Sequence, residues 1–322
     1  MTNALLDETV FRGRRLSVVG SICRDVKMGT LRPGPHLLED GETPTAFITE
    51  TIGGGGANSA LAAAALGADV RFCGKVGADP LGQRLEQSLA HRGVQTFIRR
   101  DPHVATGSSV VLSYENGCRH FVSCQPNNYA LAISDVDPAM LHGAGHLLRA
   151  DVWFSEPMLA GGNEELFREA RAQGLATSLD INWDPQWGTA DAATIARRKE
   201  AVRRILPWVD VVHGNVRELN RFADCEDLAA TLRQITAWGA GAIVIHMGAD
   251  GAGYYCHGQL TVAPAVPVQH YQNTTGTGDL LSVCLMLLHG CDEIALADRL
   301  RLANTIVAEF IEGRRGVIPE LA

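Results

Sequence analysis

Apolar and polar positions alternate along this chain in two different rhythms. Residues 16–20 form a compact apolar run ending in glycine, which predicts a buried first strand. Residues 45–52 and 108–114 instead alternate apolar with polar positions, the pattern of a half-covered strand. The second of these leads into Glu115-Asn116-Gly117 and a further run at 118–124, and an Asn-Gly pair between such runs predicts a hairpin. Four glycines, Gly53 to Gly56, precede an alanine-rich helix at 59–66; residues 70–76 predict a strand and 77–82 the entry to the next helix. From about residue 140 the rhythm becomes regular, with strands predicted at 152–154, 176–179, 209–212 and 242–246. Helices are predicted between and after them at 163–173, 192–205, 216–222 and 228–238. A hairpin of 253–255 with 259–262 follows, then an apolar helix at 280–288 and an amphipathic one at 298–311. Such alternation implies a doubly wound, mostly parallel α/β sheet with helices on both faces. The stretches at about 26–52 and 106–125 stand outside it and predict a small β-sheet lid on a single domain spanning 1–322.

Composition narrows the classes. The 322 residues are 46% hydrophobic and 20% charged, the balance of a globular protein able to bury a large core. A net charge of −8 argues against a general nucleic-acid binder, and Arg12, Arg14 and Arg15 read as a solvated leader. No segment reaches the roughly 18 apolar residues of a membrane span, and the polar start predicts a cytoplasmic protein. The eight cysteines show no C-x-x-C pair and the histidines no metal-ligand spacing, so reduced, mostly buried thiols and no transition-metal site are expected.

Candidate chemistry concentrates at Asn273-Thr274-Thr275-Gly276-Thr277-Gly278-Asp279, placed directly before the apolar helix. Small residues allow a tight turn whose N–H groups point one way, at a helix N-terminus that stabilises an anion. Asp279 either caps that helix or, beside a phosphate, takes a proton from an attacking hydroxyl. Asp25 follows the first strand, where α/β sheets bind ligands, or is an ordinary loop carboxylate. The glycines at 53–56 permit close backbone approach to a ligand, but lack the G-x-G-x-x-G spacing of a dinucleotide fold.

The turn at 273–279 resembles the D-T-T-G-A-G-D signature of the ribokinase-like (PfkB) family of sugar and nucleoside kinases, with Asn273 and Thr277 as departures. The resemblance implies that Asp279 is the catalytic base and that Gly276, Thr277 and Gly278 form the anion hole for the transferred phosphoryl group. By the same resemblance Asp25, Gly53, Gly54, Asn58 and Glu156 contact the sugar, while Gly77, Asp79 and Gly82 are structural. Asn215 and Glu218 match N-x-x-E, with Asn215 at the nucleotide phosphates and Glu218 at Mg²⁺ through water; a plain helix cap is the other reading. Gly248 and Gly251 match the ATP-binding T-x-G-x-x-G with His246 in place of Thr, and Asn304 and Gly316 border the adenine. His246 itself reads as a core histidine, and Trp183 with Trp187 either packs or stacks on substrate.

Two details bear on substrate and activation. Family members that act on a keto-deoxy sugar acid carry Arg after the segment like 180–183; Asp184 here implies a neutral sugar. Many members also bind a monovalent cation such as K⁺ through the first Asp of the signature, so Asn273 with Glu320 is the corresponding pair. The expected activity is ATP- and Mg²⁺-dependent phosphorylation of the hydroxymethyl group of a ribose- or fructose-type sugar. Alternatives are a nucleoside kinase, a non-catalytic sugar-binding regulator and, from the glycines alone, a nicotinamide oxidoreductase. Lid strands in this family often pair between subunits, which implies a homodimer, with neither nucleic acid nor membrane as partner.

Overall fold

The structure, a computed structural model, describes residues 8–116, 118–272, 275–318 and 320–321. In chain order its first elements are β1 (Arg15–Val19), β2 (Cys23–Met28), β3 (Ile48–Gly53), α1 (Gly55–Ala65), β4 (Asp69–Cys73), β5 (Lys75–Gly77), α2 (Pro80–His91), β6 (Gln95–Thr96) and β7 (Arg99–Asp101). There follow β8 (Ser108–Ser113), β9 (Arg119–Cys124), α3 (Pro126–Tyr129), β10 (His146–Arg149), α4 (Asn163–Ala172), β11 (Ala176–Asp180) and α5 (Ala192–Arg203). The last are β12 (Val211–Asn215), α6 (Val216–Ala223), α7 (Leu228–Ala237), β13 (Ala242–His246), β14 (Ala252–Cys256), β15 (Gln259–Ala263), α8 (Thr277–Leu287) and α9 (Leu296–Ile311).

Nine strands form one sheet in the order β15-β14-β13-β12-β11-β10-β1-β4-β6. The seven from β6 to β13 run parallel, and β14 and β15 add an antiparallel edge. Successive strand residues face opposite ways, so Val18 enters the core under α1 and α8 and Val19 the core under α4 and α6. That two-sided burial is why β1 is mostly apolar, its buried Ser17 satisfied by donating to Met140 O at 2.5 Å. From β1 the chain winds outward through β4 and β6, then returns beside β1 as β10 and winds out the other way. The reversal between β1 and β10 opens a crevice at the carboxyl ends of the strands, the usual ligand position in such sheets.

A second sheet, β3-β2-β8-β9, stands over that crevice. β2 pairs antiparallel with β3 and parallel with β8, and the register sets Asp25 between Thr51 and Ser109. Among the described residues no helix is long and apolar enough to cross a membrane.

Several expected boundaries move. The strand expected at 152–154 lies earlier, at β10, because two of its four residues are His146 and Arg149, both buried yet polar. His146 Nε2 pairs with Ser178 Oγ at 2.8 Å, and Arg149 Nε donates to Asn163 Oδ1 at 2.8 Å, so neither leaves a polar atom stranded. The single strand expected at 70–76 divides at Gly74 into β4, in the large sheet, and β5, which pairs with β7. The helix expected from residue 59 begins at Gly55, inside the glycine run. The cysteines are free thiols, with Cys23, Cys73, Cys284 and Cys291 buried but Cys118 and Cys124 exposed on β9 and its approach.

Candidate active site

The crevice between β1 and β10 is closed at its base by a carboxylate. Asp151, two residues past β10, accepts from Ser21 Oγ, just past β1, and from Gly56 N at 3.0 Å in the first turn of α1. Its backbone is left-handed, φ 54°, and its own N–H donates to Asn182 Oδ1 at 3.0 Å. A non-glycine residue held there costs energy that its surroundings must offset, here a negative charge on a helix N-terminus. The positive end of α1 is thus occupied by the protein's own carboxylate, and Ala57 N is taken by Ser21 O. No pyrophosphate is accommodated there, so the glycines at 53–56 serve packing rather than dinucleotide binding.

Asp25 projects from β2 at the upper wall of the crevice and is 5% exposed. Burial pushes its carboxyl up to about 6, against the pull of Lys27 and of the Cys23 thiol. A Cβ on Gly53 would lie 2.1 Å from Asp25 Oδ1, so only glycine leaves room for that carboxylate across the β2–β3 pair.

Asp279 stands in the first turn of α8. The residue before that helix is Gly276, φ 86°, which has no side chain to cap it, so the first-turn N–H groups are presented to the cleft. Burial, with Asp151, Glu218 and Asp25 adding to it, pushes the Asp279 carboxyl up to about 8; a hydrogen bond from Asn58 opposes the rise. Asn58 is buried, and its Oδ1 has no partner among the described residues. Asp180, at the end of β11, is raised well above the carboxylate range by burial and by the charges of Asp279, Glu218 and Asp151. Five acids therefore converge on one crevice with too little positive charge to balance them.

Asn215 and Glu218 form a reciprocal cap on α6: Asn215 Oδ1 accepts from Glu218 N at 2.9 Å and Glu218 Oε2 from Asn215 N at 2.9 Å. The capping role is real, yet burial holds Glu218 above its ordinary pKa beside Asp279 and Asp180, so a carboxylate that caps also faces the acid cluster. His246 donates or accepts at Ser282 Oγ, 2.9 Å away, and burial lowers it to about 4; it is a neutral packing residue beneath Gly278. Trp183 and Trp187 meet edge to face, and Arg217 covers the Trp183 ring at 4.1 Å, so the pair packs.

Other expected residues fare differently. Gly248 and Gly251, φ 60° and 99°, make the turn between β13 and β14, and Gly316 has open space where a side chain would be. Asn304 Nδ2 is committed to Ala263 O at 3.0 Å and Pro264 O at 2.9 Å, which ties α9 to the end of β15. Glu320 bridges Thr51 through its backbone and lines a cleft of about 940 Å³ between the small sheet and Tyr271, Gln272 and Thr275. Asn273 lies outside the described residues.

Two expected residues are engaged by arginines. The half-exposed carboxylate of Glu156 pairs with Arg198 and, at 3.4 Å, with Arg197 on α5. Asp184 is wholly buried, held by Arg198 Nε at 2.8 Å and Nη2 at 3.0 Å, and caps the following turn at Gln186 N. Its charge is neutralised in place, so it does not select against an acidic substrate.

A crevice of this construction, with a base candidate on an uncapped helix, is matched by a family model. The model of the pfkB family carbohydrate kinases covers residues 14–304. The chain belongs to that family. Its relatives include the fructokinase of Vibrio alginolyticus, 29% identical over 254 residues, 76% of this chain and 77% of that protein. The ribokinase of Bacillus subtilis (strain 168) is 27% identical over 322 residues, 95% of this chain and 96% of the relative. A candidate ribokinase II from E. coli, solved in complex with ATP and Mg²⁺, superposes with a TM-score of 0.77 at 20% identity, covering 93% of each chain. That likeness establishes the fold.

In this pfkB-family kinase, sequence reasoning missed Asp151 and Asp180. A strand expected at 152–154 put Asp151 before a strand, whereas it follows the carboxyl end of β10. Asp180 read as the polar end of an apolar run, and only tertiary packing sets it beside Asp279.

Proposed function

We propose that this kinase transfers the γ-phosphoryl group of ATP to a hydroxymethyl group of a ribose- or fructose-type sugar, with Asp279 as the general base. The observation carrying the proposal is the Asp279 carboxyl, held by Asn58 at the uncapped start of α8 and facing Asp25 across the crevice. The names of the fructokinase and ribokinase relatives support the sugar class.

Asp25 and the unpartnered Asn58 Oδ1 are the groups available to hydroxyls of the ring, and the bare Gly53–Gly54 backbone admits the ring closely. The hydroxymethyl oxygen attacks the γ-phosphorus, its proton passes to an Asp279 carboxylate oxygen, and the bond to the ADP oxygen breaks. Charge on the transferred group meets the N–H groups of Gly276 to Gly278 and the positive end of α8. The small sheet acts as a lid that excludes water, within one catalytic unit spanning the chain.

Mg²⁺ fits the residues present, because Asp180, Glu218 and Asp279 are buried carboxyls set together, and neighbouring negative charge raises Asp180 and Asp279. Among the described residues no three form a ready-made metal cage, and Mg²⁺ held through water and phosphates needs none. When bound with ATP, the ion neutralises phosphate charge; Glu218 would orient its water. Asn215 is assigned to the phosphates, Gly248 and Gly251 to ATP, and Asn304 and Gly316 to the border of the adenine. K⁺ activation through Asn273 and Glu320 is part of the proposal and is rejected if rates in K⁺, Na⁺ and tetramethylammonium coincide. So is a homodimer through the small sheet, whose outward face exposes Ile48 by 68% and Val122 by 56%; light scattering reads it.

The test of the whole is ATP consumption by the purified protein with Mg²⁺ across pentoses, hexoses, sugar acids and nucleosides. Turnover of one sugar, lost in Asp279→Asn, supports the reading. Turnover that survives in Asp279→Asn rejects the base, and silence on every acceptor rejects the activity.

A further inference from the structure

Most buried cations in this protein are spoken for. Lys75 pairs with Asp135 at 2.8 Å, Arg198 with Asp184 at 2.8 Å, Lys199 with Asp224, and Arg149 donates to Asn163 and to backbone carbonyls. Lys27 breaks that pattern. It stands on β2 two residues from Asp25, on the same face of the small sheet, opposite Thr49 on β3 and Val111 on β8. Among the described residues it has no hydrogen bond and no ion pair. Arg119, on the edge strand β9 opposite Ser113, lines the same cleft, and its one partner among the described residues is Thr275 Oγ1 at 3.5 Å. Both line the cavity of about 940 Å³ beneath the sheet. The other charged groups lining it are Glu115 and Glu320, both exposed at the rim, while Asp25 lies deeper beside Lys27.

An ammonium held partly out of water without a partner is unfavourable, and burial pulls the Lys27 pKa down despite Asp25. Lys27, with the exposed Arg119 guanidinium facing the same cleft, forms a site that an anion would complete. We propose that the acceptor is a sugar that already bears a phosphate or carboxylate group, and that Lys27 and Arg119 hold this group. The inference rests on the kinase reading and names its substrate class. Asp184, neutralised by Arg198, does not oppose an anionic sugar; the crevice acids do, so the anionic group belongs in the cleft that Lys27 and Arg119 line, away from Asp279.

The experiment compares acceptors that share a free hydroxymethyl group and differ in charge: fructose against fructose 1-phosphate and fructose 6-phosphate, and glucose against gluconate. Steady-state constants for acceptor and for ATP are measured in the parent, Lys27→Met, Lys27→Arg and Arg119→Met. The expected result is a charged acceptor favoured at least about tenfold in kcat/KM, with the preference shrinking as salt rises. Each Met variant should cut that preference about tenfold or more, through the acceptor KM, and Lys27→Arg should keep most of it. A parent that prefers the neutral partner overturns the proposal. So does a Met variant that slows both partners equally or raises the KM for ATP, which would assign the cations to the transferred phosphoryl group. If no acceptor is turned over, the kinase reading fails by itself. Calorimetric binding of fructose 6-phosphate and fructose without ATP then decides this inference: tighter binding of the phosphate, lost in Lys27→Met, sustains it, and equal binding overturns it.

Discussion

The side chain of Asn58, in the first turn of α1, stands beside the carboxyl of Asp279, in the first turn of α8, and by hydrogen bonding favours its ionised form. Its amide nitrogen steadies the base while its Oδ1 stays unpartnered and open to a hydroxyl. Because the bond favours the ionised carboxyl against burial, Asn58→Leu should push the Asp279 pKa above its present value of about 8. The base works ionised, so kcat/KM should rise with pH, with limbs near 6 for Asp25 and near 8 for Asp279. In Asn58→Leu the upper limb moves to higher pH, which a pH–rate profile reads directly. An unmoved limb would count against the contact.

Asp279 trades stability for function. Its carboxyl binds a proton more tightly in the fold than in the unfolded chain, because its pKa stands at about 8 rather than 3.8. The stability linked to that proton is complete below about 4 and is lost as pH rises through about 8. Asp279→Asn should therefore melt above the parent at pH 8, with the gap closing toward pH 5, while phosphorylation falls about 10²–10⁴-fold. Thermal melts at both pH values check it.

Arg198 and Asp184 hold a loop together rather than reading a substrate. Asp184→Ala strands a guanidinium in a site that is 2% exposed, and breaking a buried pair costs about 3–5 kcal/mol. Urea titration should show that loss, and the ranking of acceptors should not change. A switch toward sugar acids in Asp184→Ala would return Asp184 to the binding site.

Gly53→Ala tests how closely β3 must approach Asp25. The new methyl would lie 2.1 Å from Asp25 Oδ1, so the carboxylate must move. A displacement of about 1 Å can cost about a hundredfold in turnover. The expected result is a raised acceptor KM with ATP binding unchanged by calorimetry.

Much of this was legible along the chain. Apolar runs such as Leu16 to Val19, broken only by Ser17, predict two-sided burial, and the alternation at 45–52 and 108–114 predicts half-covered strands, since both follow from side-chain direction alone. The short turn before α8 exposed its chemistry for the same local reason: glycine at 276 permits φ 86°, and the helix begins at once. Tertiary structure decided what depends on residues far apart in sequence. β10 was hidden because His146 and Arg149 find partners only when Ser178 and Asn163 arrive. Glu156 read as a sugar contact and Asp184 as a charge that disfavours an acidic sugar, until Arg198 on α5 paired with both. Asp151 and Asp180 gained their place beside Asp279 only through the reversal of the sheet between β1 and β10, because burial and mutual repulsion arise between groups the chain separates by about a hundred residues.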